Sequence, residues 1–203
     1  MKIATFYIIT LFSTTYLFSQ KTSLTNYKPF FDKNLKRWTQ SFKNFHFEKI
    51  RISDTVSFEN TPFCDTKNLK AFYNLYKPGL SFSWDTSHFL DIYSYWLNLE
   101  KKGNKIVANA EVDQAVSLCD LKNNKWIRIY FCGYSTRIDE AVWIDRRYFI
   151  LAGTLLDYKD VFHPKILIGD MTKKVFYVYN DSVSMALETG YTSEKFKKLN
   201  IQE

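Results

Sequence analysis

The run from Glu140 to Asp181 limits what this chain can become. It reads Ala141-Val-Trp-Ile-Asp-Arg-Arg-Tyr-Phe-Ile-Leu-Ala-Gly, then His163-Pro-Lys-Ile-Leu-Ile-Gly-Asp-Met-Thr-Lys-Lys-Val-Phe-Tyr-Val-Tyr-Asn. Apolar pulses rich in Val, Ile, Phe and Tyr alternate with turn-forming clusters, and such residues suit a pleated surface. Four pulses and three clusters predict a four-stranded antiparallel meander.

The remaining composition is that of one folded domain. In 203 residues, 46% are hydrophobic and 24% charged, enough to bury a core and too little charge for global disorder. Only 6 Gly and 4 Pro are available for turns, so Asn, Asp, Lys and Ser must supply most of them. The net charge of +7 concentrates between Lys28 and Arg51, where seven Lys or Arg face only Asp32 and Glu48. A solvated basic surface accounts for it without a nucleic-acid partner, for which no reader motif is present.

Residues 1–20 read as a signal peptide: Lys2 is a short charged region, and Ile3 to Phe18 carry no charge. Cleavage leads to an exported protein, periplasmic or secreted; an uncleaved N-terminal membrane anchor is the alternative. Export places Cys64, Cys119 and Cys132 in an oxidising compartment. If Lys122 to Lys125 close a two-residue hairpin, residue 119 faces 128 and 132 faces 115. Cys119 and Cys132 then lie about 13 Å apart along the strands, too far for a disulfide. Cys64 with either one stays open, and buried thiols acting as small hydrophobes are expected.

Residues 21–33 read as an exposed lead-in. From Asp32, a plausible N-cap, Leu35, Trp38, Phe42 and Phe45 fall on one helical face. That face either packs on the sheet or, through Trp38 and Phe42, contacts a surface such as an anionic membrane. Short strands are expected at 47–52 and 55–58. A second helix capped by Asp65 or Thr66 carries Leu69, Phe72, Tyr73 and Tyr76 and ends at Pro78-Gly79. Phe89 to Leu99 reads as one extended run, residues 101–104 as a turn, 114–120 and 126–132 as a hairpin, and Ser193 as the cap of a short helix.

The chain also repeats itself. Leu80-Ser-Phe-Ser-Trp-Asp-Thr-Ser-His-Phe-Leu can be laid on Glu140-Ala-Val-Trp-Ile-Asp-Arg-Arg-Tyr-Phe-Ile, and Val116 to Tyr130 on Ile166 to Tyr179. These residues resemble β-propeller blades of the bacterial periplasmic type. The resemblance implies that Asp120 and Asp170, with Asp85 and Asp145, accept hydrogen bonds from turn N–H groups. A propeller ring needs at least about four blades, and the chain has room for two, so a closed ring is excluded. The whole sequence resembles small exported proteins of Bacteroidetes, which implies an address and no activity. Asp54-Thr-Val and Asp181-Ser-Val resemble the O-glycan attachment sites of such proteins.

Motifs that carry chemistry are scarce. His46, His88 and His163 lack metal-ligand spacing, no phosphate loop exists, and no cofactor is implied. Gly133-Tyr-Ser-Thr-Arg lacks the second glycine of a nucleophile elbow and reads as a loop. Asp85, Asp91 and Glu140, with Asp139 beside the last, could supply a carboxylate acid and base for glycoside hydrolysis if two of them converge; each also has a turn or solvent explanation. The expectation is a mainly β protein with minor α, its residues 21–203 forming one domain. It should hold two blade-like four-stranded antiparallel meanders, at 80–132 and 140–181, with one or two N-terminal helices packed on them. Its expected role is a non-catalytic binding or interaction protein for an envelope protein or glycan; the alternative is a small hydrolase acting on an extracytoplasmic glycan or peptide.

Overall fold

The structure, a computed structural model, describes residues 23–63 and 69–202. The expected signal segment, Cys64 and the expected Asp65 or Thr66 cap lie outside these residues.

Two antiparallel sheets dominate. One contains β4 (Ser81–Phe82), β5 (His88–Asp91), β8 (Gln114–Asp120) and β9 (Lys125–Cys132), with β3 (Thr61–Pro62) beside β9. The other contains β10 (Thr136–Trp143), β11 (Tyr148–Leu156), β12 (Phe162–Asp170) and β13 (Val175–Asn180), with β2 (Arg51–Ser57) beside β13. Each is thus a four-stranded meander with an earlier strand added at its far edge. The hairpin of β6 (Leu97–Lys102) and β7 (Lys105–Ala110) is inserted between β5 and β8, and β1 (Phe42–Lys43) pairs with β14 (Met185–Ala186). Neither sheet closes on itself. The expected class and the 140–181 meander are therefore observed.

Burial explains why the second meander reads as unbroken apolar runs. Phe149, Leu151, Leu167, Phe176 and Val178 join a core shared with Phe89, Leu118, Trp126 and Ile129 of the first sheet. Their neighbours Ile150, Ala152, Ile166, Ile168 and Tyr179 pack on the opposite face against Leu24, Phe31, Leu35, Trp38 and Phe47. Strands covered on both faces lose the apolar–polar alternation of half-solvated ones. Helix α3 (Leu69–Tyr76) covers the first sheet, with Phe72 4.6 Å from Trp126 and 6.0 Å from Phe89 between ring centroids.

The N-terminal helical segment departs from expectation. Helix α1 (Lys28–Asn34) starts before Asp32, with Pro29 in its first turn; the chain breaks at Leu35 and resumes as α2 (Lys36–Thr39). Asp32 is therefore inside a helix, ion-paired to Lys28 at 2.6 Å, and not a cap. Trp38 and Phe42 are 0% and 6% exposed, so they are core residues and not surface contacts. The apolar face is buried on the second sheet, carried by two short helices and not by one. Leu24 and Phe31, placed in an exposed lead-in, are buried as well.

Three further expectations are corrected. In place of the two short strands expected at 47–52 and 55–58 there is one, β2, over residues 51–57, with 47–49 in a turn. The 89–99 run divides at a turn in which Asp91 Oδ1 accepts from the N–H groups of Tyr93 and Ser94 at 2.8 and 3.1 Å. The β8–β9 hairpin has a longer turn and a bulge, so Cys119 faces Trp126 and Cys132 faces Gln114. Both thiols are buried, and burial pushes Cys132 up to about 12. Ser193 does cap α4 (Glu194–Lys197), accepting from the Phe196 N–H at 3.0 Å.

The hydrogen bonds expected of the four turn aspartates are present. Asp120 Oδ1 accepts from the Asn123 N–H at 3.0 Å, and Asp170 Oδ1 from Thr172 and Lys173 at 2.9 and 3.1 Å. Asp85 and Asp145 hold the other pair of turns in the same way, through Ser87 N–H at 3.2 Å and Arg147 N–H at 2.7 Å. The residue after each β-turn aspartate also matches: Leu121 N–H reaches Ser87 O and Met171 N–H reaches Arg147 O, both at 2.9 Å. The tryptophans do not match, since Trp84 is 79% exposed and Trp143 is buried.

One side chain joins the sheets where the chain passes from β9 to β10. Buried Gln114 accepts from the Ile138 N–H at 2.7 Å and donates to Ile138 O at 2.9 Å and Ile92 O at 2.8 Å. It satisfies the outer edge of β10 as a neighbouring strand would. Replacing Gln114 by Leu leaves three buried backbone groups unpaired, and each such loss costs about 1–3 kcal/mol. We expect Gln114→Leu to destabilise the fold by about 3 kcal/mol or more, read as a lowered urea midpoint at unchanged m-value.

Candidate functional site

A cleft of about 500 Å³ opens beside β10. Its walls come from Ser41 and Phe42, from Arg137 and Asp139 of β10, from Thr154 of β11, from the 160–162 turn and from residues 186–191. These segments meet because β1 pairs with β14 and carries the C-terminal segment back across the sheet.

Asp139 is presented by a bulge. The β10–β11 register shifts between Ile138 and Glu140, which leaves Asp139 without a partner on β11. Bulges re-aim side chains in this way. Gly153 makes the bulge sterically feasible, because a Cβ there would lie 1.9 Å from the Arg137 carbonyl oxygen. Burial pushes the Asp139 carboxyl up to about 7, against the pull of Arg137, whose Nε lies 3.4 Å from Oδ1. The Trp38 indole also favours the ionised acid, although its buried Nε1 makes no hydrogen bond among the described residues. Asp139 is therefore an acid that changes charge near neutral pH.

Glu140 is next to it and differently employed. Its Oε1 accepts from the Tyr191 hydroxyl at 2.8 Å. Burial raises it, while Tyr191, Lys195 and Arg37 pull it down. Lys195 Nζ donates to Ala141 O, and Arg37 pairs with Glu194. These contacts fasten the C-terminal segment to β10 and so shape one wall of the cleft.

The acids proposed from sequence do not come together. Asp85 sits in the exposed β4–β5 turn, held at about 2 by hydrogen bonds from Ser87 and Ser83. Asp91 is buried in the first sheet, where burial raises it and Ser94 and Tyr93 hold it in a turn. Glu140 lies in the other sheet, and none of the three has another as a hydrogen-bonded or electrostatic neighbour. Asp170, fully buried, is held down at about 2 against its own burial, mainly by a two-pronged Arg147 contact at 3.0 and 2.7 Å. Asp120 is likewise lowered against burial by Asn123.

Asp139 was legible only as a neighbour of Glu140. The missed signal was Gly153 inside a strand, which marks a bulge or a close backbone approach. The histidines stay apart: His46 is beside Glu48, His88 beside Asp120 and His163 between Asp157 and Ser184 O. His88 Nδ1 bonds the Ser87 hydroxyl at 2.8 Å and His88 Nε2 lies 3.5 Å from Asp120 Oδ2, but the Ser87 hydroxyl also bonds Asp85 at 2.7 Å and belongs to the turn. Among the described residues, no cluster of His, Cys, Asp or Glu is arranged to hold a metal, and no helix is long and apolar enough to cross a membrane.

The raised Asp139 has a consequence for stability. Its folded form keeps a proton that the unfolded chain loses near pH 4, so stability falls as pH rises from about 4 to about 7. Asp139→Asn should flatten that slope and raise stability at pH 8 by about 1–3 kcal/mol, checked by urea midpoints across pH 4–8. A residual slope of the same sign from Asp91 and Glu140 should remain. No protein-family model, curated protein or solved structure matches this chain.

Proposed function

We propose that the chain is an exported, non-catalytic binding protein, and that the β10 cleft takes a segment of an extracytoplasmic glycan. The observation that carries this reading is the bulged Asp139 set in a cleft that also offers Arg137, Asp160 and Glu188 with the aromatic residues Phe162 and Tyr191. Sites for small ligands combine apolar walls with a few placed polar groups. Carboxylates and a guanidinium suit hydroxyl and amide groups, and ring faces suit the C–H faces of sugars. Phe162 is 45% exposed and Tyr158, in the adjoining turn, 89%, which extends the aromatic surface beyond the rim.

A second reading has one observation in its favour. An acid held at about 7 beside other carboxylates could serve as a general acid, so a small hydrolase using Asp139 is the alternative.

One experiment separates them. The purified protein is titrated with peptidoglycan fragments and a panel of soluble polysaccharides, with binding and release of reducing ends followed together. Saturable binding without cleavage, weakened about tenfold or more by Asp139→Ala or Phe162→Ala, is the expected result. Cleavage abolished by Asp139→Asn would replace the binding reading with the hydrolase. Neither binding nor cleavage would remove the glycan assignment.

A further inference from the structure

A second cavity, of about 390 Å³, lies between the two sheets at the end that carries the aspartate turns. Its walls are Phe58, Leu118, Ile127 and Met171, contributed by both sheets and by the segment that links β2 to β3. Its charged residues are of two kinds. The acids are engaged: Glu59 binds Arg128 Nε at 2.7 Å, and Asp120 binds Asn123 Nδ2 at 2.7 Å with His88 Nε2 at 3.5 Å.

The bases are not engaged. Lys125 and Lys174 line the same cavity, are exposed, and make no ion pair among the described residues. Their backbones are nonetheless fixed. Lys125 is paired with Asp120 at the start of β9. Lys174 has φ 56°, with its N–H on Asp170 O at 2.7 Å and its carbonyl accepting from Phe58 at 2.8 Å. The cavity therefore joins an apolar interior to two lysines of fixed backbone whose ammonium groups have no ion-pair partner among the described residues.

We propose that this cavity is a second ligand site, for a small amphipathic monocarboxylate whose apolar body lies between the sheets and whose carboxylate meets Lys125 and Lys174. Opposite charge selects the head group, and a charge-assisted hydrogen bond is the stronger kind. The apolar body gains by leaving water, at about 25 cal/mol for each Å² buried. The site is separate from the β10 cleft and does not depend on its ligand.

Methionine is rare enough to report on the site. Of the three in the chain, Met171 lines the cavity and Met185 lies in β14. Protein labelled at the methionine methyl groups is titrated with octanoate, and separately with 1-octanol. A saturable shift of the Met171 methyl with octanoate, with Met185 unmoved, is expected. Lys125→Gln with Lys174→Gln should weaken octanoate about tenfold or more and leave the octanol response unchanged. An unmoved Met171, octanol binding as tightly as octanoate, or full octanoate affinity in the double variant would each overturn the proposal. The first two need no variant, so they stand even if the double variant folds poorly.

Discussion

The packing of the two sheets depends on how their ends are tied. At one end the chain runs from β9 into β10, and the Gln114 amide bonds both polar groups of Ile138 together with Ile92 O. At the other end residues 51–62 cross over, β2 joining the second sheet and β3 the first. Phe58 N–H bonds Lys174 O and, one residue on, Glu59 N–H bonds Ile129 O. An unpaired strand edge is a liability in water and a penalty when buried. Here one edge is satisfied by a side chain and the far edges by a crossing segment.

That arrangement has a local consequence. Because β10 is an edge strand of its sheet among the described residues, the bulge at Asp139 disturbs only the pairing with β11, and Gly153 avoids a side chain that would collide with it. The acid is thereby held in a dry position beside a cleft. The fold tolerates a group whose ionisation is unfavourable because that group can stay protonated near neutral pH.

The two meanders share a pattern of turns but not of charges. In the first, His88 faces Asp120 at 3.5 Å; in the second, Arg147 grips a fully buried Asp170 at two points. A permanently charged guanidinium compensates the buried acid over the whole pH range. The first meander keeps its aspartate part-exposed and opens onto the inter-sheet cavity. Similar backbone hydrogen bonding is thus fitted with different side chains, and the corresponding turns of the two meanders differ in chemistry.

What the sequence determined by itself was local or periodic. The 140–181 meander, the aspartate turns and the Ser193 cap follow from propensity and side-chain hydrogen bonding, both short-range properties. The tertiary structure alone decided three things. It broke the first helix at Leu35, between two short helices from which Phe31, Leu35 and Trp38 all reach the core on the second sheet. It paired β2 with β13 and β3 with β9 across more than 60 residues of chain. It also placed Asp139 rather than Glu140 in the cleft, because a one-residue bulge changes which side chain is re-aimed, and that shift is set by pairing with a distant glycine. The four-strand run that most limited the fold is thus a scaffold, and its chemistry was assigned by what packs against it.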